Sequence, residues 1–153
     1  MSHQTIAIKE YTTQAEMELV FPVLKHMYPE LSKSKYLEKL AKMIPHNYTQ
    51  VVALKEEQII GVSGIWIGTK LWCERYLEID NFIIDPTHRN AKVGSKLLDF
   101  IQQKAETLGC NLMVLDTYTD NFKAIKLFMN NDFIPRGFHM IKPLNGFTVE
   151  GKV

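Results

Sequence analysis

Apolar and polar residues alternate from Thr5 to Tyr11 (TIAIKEY), the period of two that a half-buried strand requires. Thr13-Gln-Ala-Glu16 has the spacing of a capping box and predicts a helix start. Met17, Val20, Phe21 and Leu24 give that helix an apolar stripe. Pro22 lies too deep to be a first-turn proline, so it predicts a kink or an early end. Ser32 or Ser34 caps a second helix, with Leu37, Leu40, Ala41 and Ile44 on one face and Pro45 at its end. Gln50 to Leu54 and Ile59 to Gly68 read as strands joined in a hairpin at Glu56-Glu57. Arg75 to Asp85 (RYLEIDNFIID) is a long strand stopped by Pro86. From Val93, apolar residues recur at Leu97, Ile101, Ala105 and Leu108 with helical period, and Gly109 ends the run. Leu112 to Leu115 (LMVL) is short and wholly apolar, the pattern of a strand covered on both faces. Asp120 caps a helix from about Asn121 to Asn131. Phe133 to Lys142 and Phe147 to Glu150 read as closing strands.

The resulting order, β-α-α-β-β-β-α-β-α-β-β, predicts a mixed α/β sheet with helices on its faces. The early strands are hairpin-linked and a later βαβ unit holds a parallel pair. A length of 153 residues suits one domain spanning 1–153, and 46% hydrophobic residues suffice for a core. The net charge of +1 gives a weak overall field, which argues against nucleic acid or an anionic membrane as partner. Cys73 and Cys110 stand far apart, which suggests a reducing compartment; one bridge remains open. The N-terminus lacks the apolar region of a signal peptide, and no run approaches a membrane span, so a cytoplasmic location is expected. His26, His46 and His139 show no metal spacing, and no metal is expected. Lys35, Lys39 and Lys42 read as a solvated helix face.

Between the long strand and the next helix lies Arg89-Asn90-Ala91-Lys92-Val93-Gly94-Ser95. A helix start leaves several N–H groups unpaired and carries about half a positive charge, so it is a ready anion site. Arg89, Lys92 and Lys96 add charge, and Gly94 and Ser95 are small enough for a ligand to approach the backbone. A solvated basic turn opening an ordinary helix has the same pattern. The loop is neither a Walker A motif nor GxGxxG.

Strand, loop, helix, strand and helix together resemble the GNAT superfamily of acetyl-CoA-dependent N-acetyltransferases. The family pattern Arg/Gln-x-x-Gly-x-Gly/Ala matches Arg89 to Gly94, and Asn-x-x-Ala-x-x-x-Tyr-x-x-x-Gly-Phe matches Asn121, Ala124, Phe128, Asp132 and Phe133. The resemblance implies that residues Arg89 to Ser95 hold the coenzyme A diphosphate through backbone amides. It implies that Phe82, Ile83 and Ile84 align the pantetheine arm in a gap between two splayed parallel strands. Asn121, Ala124 and Phe128 would line its other side. Monomers and homodimers both fit the family. Three positions depart from the pattern. Lys92 replaces a glycine; it is costly if φ is positive there and harmless if the position is helical, the reading favoured by the register of Val93 and Gly94. Asp132 replaces a second glycine, which aspartate tolerates at a left-handed turn. Phe128 replaces a tyrosine that often serves as general acid, which leaves the acid role open.

Acetyl transfer to an amine needs a base, because an ammonium has no lone pair. It also needs a donor for the developing oxyanion, such as an N–H at a β-bulge. The thiolate leaves readily, a thiol pKa being about 8.5. Glu78 lies four residues before Phe82, a spacing at which some family members place a catalytic glutamate. Asp80 shares its face and could raise its pKa. Equally, the two carboxylates could recognise a cationic acceptor. Tyr118, after the LMVL strand, is the nearest candidate acid, or an aromatic packing its loop. Tyr28, Tyr36, Trp66 and Trp72 fall where the family builds its acceptor site, and aromatic walls suit an amine. The acceptor is expected to be a small-molecule amine or a peptide amino group. The alternatives are a non-catalytic coenzyme A-binding sensor and a protein-interaction module.

Overall fold

The computed structural model describes residues 5–89 and 92–149. It contains one five-stranded sheet in the order β1-β2-β3-β4-β5. The strands are β1 (Ala7–Tyr11), β2 (Tyr48–Lys55), β3 (Gln58–Lys70), β4 (Glu74–Ile84) and β5 (Leu112–Leu115). The first four pair antiparallel, and β5 lies parallel to β4.

The capping box forms as read, with the Thr13 side chain accepting from Glu16 N and the Glu16 carboxylate accepting from Thr13 N. Pro22 splits the helical region into α1 (Gln14–Glu18) and α2 (Phe21–Leu24), where it occupies the first turn of the second piece. Ser32 caps α3 (Lys33–Met43), and Pro45 turns its end into a 3-10 turn at Ile44–His46. At the β2–β3 hairpin Glu56 and Glu57 both have positive φ, 49° and 65°, as a type I′ turn demands. Helix α4 (Val93–Thr107) crosses from β4 to β5, and Gly109 at φ 69° ends that crossover. Helix α5 (Phe122–Met129) is capped by Asn121 rather than Asp120; the Asn121 side chain accepts from Ala124 N.

The period of two sends successive β2 side chains to opposite cores. Val51 and Ala53 join Val93, Leu97, Leu98, Ile101 and Phe128 beneath α4 and α5. Val52 and Leu54 join Met17, Val20, Leu24 and Leu40 beneath α1–α3. In β4 the alternation is interrupted. Leu77 and Ile79 face the α4 core, yet so do Phe82 and Ile84, while Ile83 faces α1–α3. The parity changes because the β3–β4 register shifts between Val62↔Ile83 and Gly64↔Asp80, with Asn81 at φ 51°. Two residues of β4 oppose one of β3 there, which is a β-bulge.

Two expectations at the C-terminal end are corrected. Residues 133–149 form no strand among the described residues, although Phe133 to Lys142 and Phe147 to Glu150 read as strands; Glu150 lies outside the described residues. A strand needs a ladder as well as a pattern, and Pro135 and Pro143 each remove a donor from it. Consequently β5 is an edge strand, with Leu112 37% exposed, and is not covered on both faces. Both cysteines are free thiols, Cys73 buried and Cys110 half-buried. No helix among the described residues is long and apolar enough to cross a membrane.

Candidate functional site

The parallel pair opens like a wedge. β5 tracks β4 only from Tyr76↔Leu112 to Ile79↔Leu115, and β4 then continues to Ile84 without it. The bulge at Asn81 sits where the strands part. At the far end of β4, Asp85 begins a 3-10 turn, its carboxylate accepting from Thr87 N at 2.9 Å and from Thr87 Oγ1 at 2.7 Å. Those two bonds hold the Asp85 carboxyl below its usual range. The chain passes the exposed Arg89 and reaches Lys92, which starts α4. Asn90 and Ala91, both expected to bind the cofactor, lie outside the described residues.

The helical placement expected for Lys92 does not occur. Its φ is 56° and ψ 24°, the left-handed conformation that suits the glycine of the family pattern. Lys92 contributes no side-chain cap, so no cap from that position competes for the first amides of α4. Val93 is fully buried and offers only backbone. Gly94 is small for a packing reason: a Cβ there would stand 3.0 Å from Leu127 Cδ2 and 3.7 Å from Phe82 Cε1. Ser95 is half-buried. Asp132 has φ 66°, as expected of a left-handed residue after α5.

Beside the α4 start, Phe82 meets Phe128 edge-on at 5.4 Å, and Phe128 meets Phe133 at 5.6 Å. Phe128 is 6% exposed, so the position where the family often has tyrosine is occupied by core. Ala124 packs against the same cluster.

On the α1–α3 side, Tyr28, Trp66 and Asp80 converge on the bulge. Asp80 Oδ2 accepts from Trp66 Nε1 at 3.1 Å, and its Oδ1 accepts from the bulge amide, Asn81 N, at 2.8 Å. The Asn81 side chain donates to the Tyr28 hydroxyl at 2.7 Å and accepts from the Tyr48 hydroxyl at 2.9 Å. Gln50, fully buried, donates to both Tyr48 and Tyr36, and the Tyr36 hydroxyl donates to Met17 O at 2.8 Å. Burial pushes the Tyr36 phenol up to about 12 and raises that of Tyr48 as well, so both remain neutral donors. Gly64 makes room for this chain; a Cβ there would lie 2.8 Å from both Asn81 Oδ1 and Tyr48 Cε2. Neither Asn81, Tyr48 nor Gln50 stands out in the sequence. Their signal is a polar residue inside an apolar strand pattern.

Glu78 pairs with Trp66 on β3 and Val114 on β5, half-buried beside the opening. Burial raises its pKa first and the Asp116 carboxylate next; Lys70 pulls the other way, and Asp80 adds less than Asp116. The charge partner expected, Asp80, is therefore second to a residue the sequence did not single out. Asp116 follows β5 and holds His139 Nδ1 at 2.9 Å. Tyr118 is 58% exposed on the loop after β5, and its carbonyl accepts from Asn121 N. Trp72 is exposed at the β3–β4 turn, with the Arg136 guanidinium 6.0 Å from its ring.

The model of the acetyltransferase (GNAT) family matches residues 12–133. An IAA acetyltransferase of Azospirillum brasilense is 26% identical over 140 residues, spanning 90% of this chain and 88% of its own. Among solved structures, an aminoglycoside acetyltransferase from an uncultured soil metagenomic sample, in complex with trehalose, superposes with a TM-score of 0.79. It is 15% identical, over 95% of this chain and all of its own. The aminoglycoside N-acetyltransferase AAC(6')-Iy, in complex with CoA, superposes with a TM-score of 0.79 at 16% identity, over 92% of this chain and 95% of its own. At such identities the structures speak for a common fold. The family match over most of the chain, joined to the wedge between β4 and β5 and the helix start that faces it, settles the kinship: this chain belongs to the GNAT family of acetyltransferases.

Proposed function

We propose that the chain transfers the acetyl group of acetyl-CoA to a primary amine of a small molecule or an amino terminus, with Glu78 as the base. The observation that carries this reading is the position of Glu78. It stands one residue before the last β4–β5 pair, at the mouth of the wedge, with a carboxyl held above the ordinary range. A base that titrates nearer neutrality takes a proton from an ammonium more effectively than an ordinary carboxylate.

In this reading the first amides of α4, from Val93 to Ser95, hold the diphosphate with Arg89 and Lys92 beside them; Asn90 and Ala91 complete the loop. Phe82, Ile83 and Ile84 offer a strand edge to the pantetheine arm. Asn121, Ala124 and Phe128 form the opposite wall. The bound cofactor supplies an activated thioester carbonyl, and the chain's own groups do the rest. Glu78 accepts the amine proton, directly or through water. Asp80, Trp66 and Tyr28 fix the bulge against which the acceptor rests, so their part is positioning. Tyr118 is the available hydroxyl for the departing thiolate. Solved structures of this fold include acetyltransferases named for aminoglycosides, which are small polyamines, and this supports a small-molecule acceptor.

Incubating the purified chain with acetyl-CoA and a panel of amines, and following thiol release, tests the proposal. Turnover that needs Glu78 is expected; no release with any amine overturns it. A second reading, a coenzyme A-binding sensor, is favoured by Phe128, which has no hydroxyl. It predicts that coenzyme A raises the melting temperature by mass action with no turnover.

A further inference from the structure

The strip of sheet that carries Glu78 runs on from the bulge toward the β3–β4 turn. The ladder there sets Glu78 opposite Trp66, Tyr76 opposite Gly68 and Glu74 opposite Lys70. Opposite residues of an antiparallel pair share a face, and alternate residues of a strand do too. The Tyr76 ring lies across β3. A Cβ on Gly68 would stand 2.6 Å from the Tyr76 hydroxyl and 2.7 Å from its Cζ, so glycine is what leaves the ring that place. The Lys70 ammonium rests over the same ring, 4.7 Å from its centroid. This brings the cation back along the strip toward Glu78, and it pulls that carboxyl down against the burial that raises it.

The charged groups around this strip are unevenly engaged. The carboxylates have protein donors: Asp80 accepts from Trp66 Nε1 and Asn81 N, Asp116 pairs with His139, and Glu74 accepts from Asn111 Nδ2 at 3.1 Å. The cations have only rings. Lys70 lies over Tyr76 and Arg136 over Trp72, and among the described residues neither has a carboxylate within salt-bridge distance. A ring face attracts a cation but leaves most of its N–H donors unused. Apart from Glu78, the unanswered charge on this strip is positive.

We propose that the acceptor carries an anionic group, a carboxylate or a phosphate, which Lys70 and Arg136 receive while its amine lies at Glu78. The inference rests on the reading of Glu78 as the base. Strand geometry sets the reach. Tyr76 is two residues from Glu78, roughly 7 Å, so amine and anion stand on the order of 7 Å apart. An extended dipeptide has about that span, as does an ω-amino acid of similar length. An α-amino acid is too short. A polyamine would set a like charge against Lys70 and Arg136, which disfavours it. Lys70 is thus a specificity-determining residue.

Trp66 and Trp72 are the two tryptophans of the chain and both border the strip, so their fluorescence reports binding without turnover. The full chain, with coenzyme A present, is titrated with ω-aminohexanoate, aminopentyl phosphate, hexylamine and hexanediamine. The better amino anion should bind about fivefold tighter than hexylamine, and the diamine no tighter than hexylamine. Which anion binds better names the tail. Lys70→Met should remove the preference and leave hexylamine unchanged; Lys70→Arg should keep it, and added salt should erode it. Equal affinity for the amino anions and hexylamine overturns the proposal. So does tighter binding of the diamine, a preference that survives Lys70→Met, or no binding of any of the four. Thiol release from acetyl-CoA, read with the same four compounds, separates the two readings. A preference without turnover keeps the anion subsite and sinks acetyl transfer; turnover without a preference does the reverse.

Discussion

The two faces of the sheet are built from different materials. Beneath α4 and α5 the buried set from Val51 to Phe128 is apolar except for Ser63, which lies opposite Val51 and donates its hydroxyl to Gly64 O next to it in the chain. Beneath α1–α3 a polar chain threads the core from Met17 O through Tyr36, Gln50, Tyr48 and Asn81 to Tyr28. Apolar packing tolerates adjustment but aims nothing, since dispersion is non-directional. Hydrogen bonds in a dry interior fix angles, and a buried group left unmade is costly. The polar chain ends at the bulge of β4, the point where the wedge opens. One face therefore holds the fold together, and the other also sets the geometry of the proposed acceptor site.

Substitutions on the two faces should separate stability from activity. Leu97→Ala, in the core beneath α4, should cost about 2–5 kcal/mol in denaturant unfolding, with little change in KM for an amine acceptor. Glu78→Gln should lower kcat/KM about 100-fold, equivalent to about 2.7 kcal/mol of transition-state free energy. The rate of the unsubstituted protein should rise with pH as Glu78 loses its proton above the ordinary carboxylate range, and the variant should lack that limb. Stability responds with the opposite sign. A carboxyl whose folded pKa is raised stabilises the fold while protonated, and that contribution fades as pH rises through the folded pKa. The glutamine variant should thus be at least as stable above that pH as the unsubstituted chain, measured by melting in paired buffers.

Tyr48→Phe strands Asn81 Oδ1 and one donor of Gln50, and should cost about 1–3 kcal/mol. Its signature is a fall in kcat beyond that of a core variant matched in stability, because the bulge loses an anchor. The smallest effect concerns the left-handed helix start. Lys92→Gly should raise stability by about 1 kcal/mol, since glycine adopts that conformation without steric cost. If Lys92 also contacts phosphate, the same variant weakens coenzyme A binding, which a titration by calorimetry would detect.

Residues 5–132 were legible element by element. The capping box at Thr13, the Ser32 cap, the hairpin at Glu56-Glu57 and the stripe from Val93 to Ala105 all depend on neighbours within a few residues, and spacing alone exposes such relations. The bulge was not legible, because RYLEIDNFIID reads as one uninterrupted strand. Asn81 has its partners 53 and 33 residues away in Tyr28 and Tyr48, and no local period records them. Asp116, and the bearing of His139 on Glu78, escaped notice for the same reason: their effect exists only once distant segments bring them near that carboxylate. The closing strands erred the other way. Their pattern was present, but a ladder also requires donors, and Pro135 and Pro143 each remove one; residues 133–149 form no strand among the described residues.

The sequence by itself determined the order of elements from β1 to α5, the helix caps at Thr13 and Ser32 and the family motifs, since each is a relation between nearby residues. Tertiary structure decided the left-handed Lys92, the parity change in β4, the carboxylate that acts on Glu78 and the exposure of the apolar side chains in residues 134–147. Those depend on which distant segments meet, and that is set by the packing of the whole sheet.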